Sequence, residues 1–181
     1  MTTEQQFCQQ FMEKPLDFLA NELGDLLTSK KLRLTTAESC TGGLLGSTLC
    51  AAKDTPSFFG SGFITFTDEA KMTLLNVNPE TLAKHTAVSK ATVEEMAAGA
   101  VRVSGEDIGI AVSGYGGPDG GEDGTPAGSV WFGWALPGNN VYTSLQHFEG
   151  DCTEVLAQAV KYAIVMLLFR LGYSPDSHTE Q

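Results

Sequence analysis

A chain of 181 residues, 42% hydrophobic and 18% charged, is long enough to bury a core and too apolar to remain disordered. Its net charge of −11, with no stripe of lysine and arginine, excludes a nucleic-acid surface, because neutralising phosphates needs clustered cations. No apolar run approaches the ~20 residues of a membrane helix, and residues 1–14 are polar and acidic rather than basic-then-apolar, so neither a membrane span nor a signal peptide is expected.

The expected setting is the cytoplasm. There Cys8, Cys40, Cys50 and Cys152, which have no C-x-x-C spacing, would be reduced. His85, His147 and His178 lack ligand spacing as well, so no metal or other cofactor is expected.

Pro15 suits the first turn of a helix, and Leu16, Leu19, Leu23, Leu26 and Leu27 then recur at helical spacing. Residues 32–37 form an apolar run that reads as a strand, and residues 44–52 read as a helix opened by two glycines. Residues 58–66, rich in aromatics and threonine, predict a second strand. A short helix over 68–75, which Thr67 would cap, follows. Asn78-Pro79 starts another helical turn, and Ser89 caps a helix over 90–103. Residues 108–112 are continuously apolar, as in a buried strand.

A loop over 114–128 then holds seven of the chain's twenty glycines and two prolines. Residues 129–136 and 141–148 flank Pro137-Gly138-Asn139-Asn140 and predict a β-hairpin. Asp151 with Glu154 resembles a capping box opening a last helix to Leu171. Helices interleaved with strands predict a three-layer α/β/α sandwich, and the hairpin makes its sheet mixed. Residues 1–181 read as a single domain, with 1–14 and 174–181 as flexible ends.

Three stretches could carry chemistry. Glu38-Ser39-Cys40-Thr41-Gly42-Gly43 lies where a strand ends and a helix starts. It could be an ordinary turn in which Ser39 or Thr41 caps the helix. Alternatively, Ser39 is a nucleophile, and N–H groups near Gly42 and Gly43 stabilise an oxyanion. Cys40 is the rival nucleophile, although no histidine lies nearby in sequence to take its proton. Lys71, about one turn into its helix, could point back at a strand end and act as a base if burial lowers its pKa. It could equally be a surface lysine paired with Asp68 or Glu69. The loop beginning Ser113-Gly114-Tyr115-Gly116-Gly117 lacks phosphate-loop and Ca²⁺-loop spacing and reads as a rigid lining for a substrate.

Together these stretches resemble the C-terminal domain of the CinA competence-damage family, the nicotinamide-nucleotide amidase group, from roughly Leu16 to Leu171. The resemblance is carried by Thr36-Ala37-Glu38-Ser39-Cys40-Thr41-Gly42-Gly43, Asp68-Glu69-Ala70-Lys71, Ala87-Val88-Ser89 and Ser113-Gly114. It continues through Gly117-Pro118-Asp119-Gly120-Gly121 and Pro126-Ala127-Gly128-Ser129-Val130-Trp131. It implies an α/β/α sandwich that hydrolyses nicotinamide mononucleotide to nicotinic acid mononucleotide and ammonia without a metal, and commonly a homo-oligomer. By this resemblance Ser39 is the nucleophile and Lys71 its general base. Thr41, Gly42 and Gly43 support the oxyanion, and Ser113, with Gly114 and Gly117, lines the substrate.

The chain also departs from that family. Phe66 stands where a tyrosine is usual, and Cys152 and Leu156 stand where basic residues are common. Tyr115-Gly116 replaces a small aliphatic pair. Tyr115 is expected to supply the hydroxyl that Phe66 lacks. Two readings follow: an amidase with an intact serine–lysine pair, or a catalytically impaired relative that binds a nucleotide-like ligand or serves as a subunit. A hydrolase of a different small amide is a third.

Overall fold

The computed structural model describes residues 1–175. Five strands form one sheet in the order β2-β1-β3-β4-β5: β1 (Leu34–Glu38), β2 (Phe59–Ile64), β3 (Ile108–Gly114), β4 (Ser129–Leu136) and β5 (Asn140–His147). β1 runs parallel to both β2 and β3, whereas β3, β4 and β5 are antiparallel neighbours. The sheet is mixed, as the hairpin implies.

Helices cover both faces. On one lie α1 (Thr3–Met12), α2 (Leu16–Ser29), α3 (Leu44–Cys50) and α7 (Cys152–Arg170); on the other lie α4 (Asp68–Leu75), α5 (Pro79–His85) and α6 (Lys90–Ser104). The sheet therefore separates two cores. Leu34, Ile110, Phe132 and Trp134 face the first with α2 and α7, while Ala37, Ala111 and Ala135 face the second with α6. Small residues on that second face let the helices sit close. At Gly99 of α6, a Cβ would stand 2.2 Å from the Leu75 carbonyl oxygen, so α6 touches the end of α4 backbone to backbone.

The expected caps form. Thr67 accepts from the Ala70 N–H at 3.1 Å and Ser89 from the Thr92 N–H at 3.1 Å. Asp151 and Glu154 exchange both bonds of a capping box.

Two expectations need correction. The N-terminal end expected to be flexible over 1–14 is instead helix α1, opened by a Thr2–Gln5 capping box and anchored by buried Phe11. The helical turn expected to start at Asn78-Pro79 forms as helix α5, with Asn78 as its cap. No run long enough for a membrane helix was expected, yet α7, with 19 residues, suffices by length and composition; most of that helix is buried inside the protein, against the sheet, α1 and α2. Of the expected flexible end at 174–181, residues 176–181 lie outside the described residues.

Candidate active site

The parallel strands β1, β2 and β3 all end at one edge, the position at which open α/β sheets bind ligands. Glu38 is opposite Ile64 on one side and Val112 on the other, so Ser39 and Thr65 leave the sheet side by side, next to Ser113, which is still paired with β4. The Ser39 N–H extends the ladder by donating to the Val112 carbonyl at 2.9 Å. Side chains alternate along a strand. Ala37 packs in the core beneath α4 and α6, and Ser39, two residues on, turns toward α4 and meets Lys71.

Lys71 Nζ lies 3.1 Å from Ser39 Oγ, 2.8 Å from the Thr65 carbonyl and 3.2 Å from the Phe66 carbonyl. The strand expected over 58–66 ends at Ile64, which turns these two carbonyls out to receive the amine. Lys71 is fully buried. Burial lowers its pKa from the ordinary lysine value, while Asp68 and Cys40 act in the opposite direction. A neutral amine here would donate two hydrogens to the two carbonyls and aim its lone pair at the Ser39 hydroxyl. Cys40 faces a different environment: burial pushes its thiol up to about 12, against the N–H groups of Gly114 and Cys40 itself. It therefore remains a protonated thiol near neutral pH.

Glu38 is the residue that sequence reasoning missed. Only 2% exposed, its carboxylate accepts from the Leu45 N–H at 2.8 Å and the Gly46 N–H at 3.0 Å. It thereby satisfies the first turn of α3 and closes the turn that carries Ser39. The signal was a carboxylate in an otherwise uncharged, buried strand, which requires strong partners.

This changes the donor inventory of the turn. The Gly42 N–H donates to the Ser39 carbonyl at 3.1 Å, so the Gly42 amide is engaged. Among the described residues, the N–H groups of Thr41 and Gly43 have no hydrogen-bond partner, and neither does the buried Thr41 hydroxyl. Gly43 has φ +101°, a backbone conformation that disfavours any side chain there.

The remaining expected residues lie around the pair at varying distance. Ser113 is buried, and its hydroxyl donates to the Ala87 carbonyl at 2.8 Å. Gly114 ends β3, and its N–H approaches Cys40, whereas Gly117 stands further along the loop beside Ala127. Phe66 is 69% exposed, and its backbone carbonyl accepts from Lys71. Tyr115 does not take over the missing hydroxyl. Its backbone is pinned between Ser129 and Gly128, and its hydroxyl lies beside Thr86 and against Gly121. Among the described residues no three His, Cys, Asp or Glu side chains converge on a metal position.

A family model of the CinA C-terminal domain matches residues 16–171. The chain belongs to the CinA family. Among its relatives, Protein YdeJ of Escherichia coli strain K12 is 55% identical over 153 residues, which span 84% of this chain and 88% of that one. The nicotinamide-nucleotide amidohydrolase PncC of Enterobacter agglomerans is 41% identical over 152 residues, 84% of this chain and 93% of its own. The crystal structure of competence damage-inducible protein A from Klebsiella pneumoniae matches with a TM-score of 0.87 at 51% identity, covering 88% of this chain and 99% of that one. The α/β architecture is thus that of the CinA superfamily.

Proposed function

We propose that this CinA-family protein is an amidohydrolase of the nicotinamide-nucleotide amidase type, working through Ser39 and Lys71 on a small-molecule carboxamide. One observation carries the reading: a fully buried lysine amine 3.1 Å from a serine hydroxyl, with two carbonyls occupying its other hydrogens. The 41% identity to a protein named for that activity supports it. Lys71 takes the Ser39 proton as Oγ attacks the carboxamide carbon. The N–H groups of Thr41 and Gly43 and the Thr41 hydroxyl are the free donors for the resulting oxyanion, each such donor being worth about 3–4 kcal/mol of barrier. Lys71 returns the proton to the departing nitrogen, releasing ammonia. Water, deprotonated by the same amine, then cleaves the acyl-serine to the carboxylate.

A second reading, a catalytically impaired relative that binds a nucleotide-like ligand or serves as a subunit, draws on Phe66, which brings no hydroxyl to the pair. Ammonia release from nicotinamide mononucleotide, giving nicotinic acid mononucleotide, separates the two. The wild type should turn over, Ser39→Ala should lose at least roughly a thousandfold, and Cys40→Ala should stay within a few-fold. An inactive wild type favours the second reading, and loss confined to the Cys40 variant overturns the choice of nucleophile.

A further inference from the structure

A cavity of about 390 Å³ lies between α6 and the β4–β5 hairpin, at the end of the sheet opposite Ser39. Ala135 in its wall pairs with Gly109 near the start of β3, whereas Ser39 follows the last residue of β1. Its volume falls within the range of small-molecule sites, which are mostly apolar with a few convergent polar groups. The lining has that composition. Ala98, Val101, Leu136 and Val141 supply apolar surface, and Arg102 with Asn139 and Asn140 supplies donors.

Arg102 is the unusual member of this set. The chain holds 22 acidic residues against 11 basic ones, yet among the described residues no carboxylate stands within ion-pair distance of Arg102. The acids that follow it in the chain are engaged elsewhere. Glu106 accepts from Arg33 Nε at 2.9 Å, and Asp107 accepts from the Arg33 backbone N–H at 2.9 Å. Arg102 Nη2 donates instead to the Leu75 carbonyl at 3.0 Å, at the C-terminus of α4. That bond takes one of the five guanidinium N–H donors. It also anchors the group, so less rotational freedom is lost when the remaining donors meet a ligand.

We propose that this cavity is a binding site for a small carboxylate with an apolar body, separate from the Ser39–Lys71 pair. A planar guanidinium matches the two oxygens of a carboxylate through parallel, charge-assisted N–H···O bonds. The side-chain amides of Asn139 and Asn140 add donors for the same oxygens, and the apolar body lies against Ala98, Val101 and Val141. The net charge of −11 repels anions at long range, so recognition depends on this local geometry. A bare inorganic anion would leave the apolar walls unused. Occupancy of this site does not require the amidase reading.

Benzoate is the probe, with its uncharged isostere benzamide and inorganic phosphate as controls. In amide NMR titrations, benzoate should shift the signals of Arg102, Asn139 and Asn140 and saturate by about 10 mM. Benzamide should bind about tenfold more weakly, because it loses the charge-assisted bonds. Arg102→Gln should shrink that preference to below about threefold. Ala98→Leu, at an exposed position of α6, fills the cavity and should weaken benzoate about tenfold. This second variant decides the matter if Arg102→Gln fails to fold. Equal binding of benzamide overturns the proposal, as do phosphate binding as tight as that of benzoate, unchanged benzoate binding in Ala98→Leu, and no saturation by about 10 mM. Shifts confined to the surroundings of Ser39 and Lys71 would put benzoate at the other end of the sheet and overturn it as well.

Discussion

Lys71 illustrates how one buried residue couples function to stability. The proposed role, accepting a proton near neutral pH, needs the amine's pKa lowered, and here burial lowers it. The same burial costs stability, and linkage fixes the sign. In the unfolded chain a lysine titrates near ~10.4. Between its lowered folded pKa and that value, the unfolded state binds more protons, so stability rises with pH. The cost is present at neutral pH and disappears as pH climbs toward the unfolded value. Lys71→Met lacks this titration. Thermal melts should therefore show wild type gaining on Lys71→Met from pH 7 to pH 10, and a pH-independent gap would show that the lysine is unshifted. Wild-type kcat/KM should rise with pH as the amine deprotonates and then level off. The methionine variant should lose roughly two to four orders of magnitude in rate, the range for removing a general base. Cys40 loses its rivalry for the same physical reason, because burial keeps its thiol protonated.

At the scale of elements, what was legible in the sequence was local. Thr67, Ser89 and Asp151 cap α4, α6 and α7 because a cap is decided within three or four residues. The strand-to-helix turn at Ser39 was legible for the same reason. The Thr65 and Phe66 carbonyls were not, since their role depends on where β2 releases the ladder, and strand ends are set by neighbouring strands. Glu38 was hidden similarly: its partners, the Leu45 and Gly46 N–H groups, lie seven and eight residues away, across the turn. That turn is predicted to depend on the carboxylate. Glu38→Gln keeps the shape but presents an amide NH₂ to one of the two backbone donors, leaving a buried N–H unpaired. The cost should be about 1–3 kcal/mol in urea unfolding. Because α3 then frays beside the proposed nucleophile, kcat should fall with KM within about threefold of wild type. An unchanged kcat at reduced stability would show that Ser39 is held by the Val112 ladder alone.

At the scale of the whole molecule, the sheet divides stability from chemistry. Ser39 and Lys71 meet on the face covered by α4 and α6, while α1 docks on α7 across the sheet. The sequence reading treated the N-terminal end as flexible because its fourteen residues are mostly polar. It overlooked Phe7 and Phe11, one helical turn apart. Their rings stack with centroids 4.3 Å apart, and Phe11 meets Tyr173 edge-on at 5.5 Å. Two aromatics suffice to dock a helix when the receiving surface is already built by Phe169 and Tyr173 from the far end of the chain, a long-range match that local composition does not reveal. Phe11→Ala should therefore cost about 3–5 kcal/mol, a large share of the roughly 5–15 kcal/mol that holds a domain folded. Its urea midpoint should fall accordingly. At a temperature where the variant is still fully folded, ammonia release should remain within about twofold of wild type, because the sheet stands between the cavity left by the ring and the Ser39–Lys71 pair. A rate that fell in step with stability while the protein remained folded would mean that the two cores move as one, and that α1 is part of what holds Lys71 against Ser39.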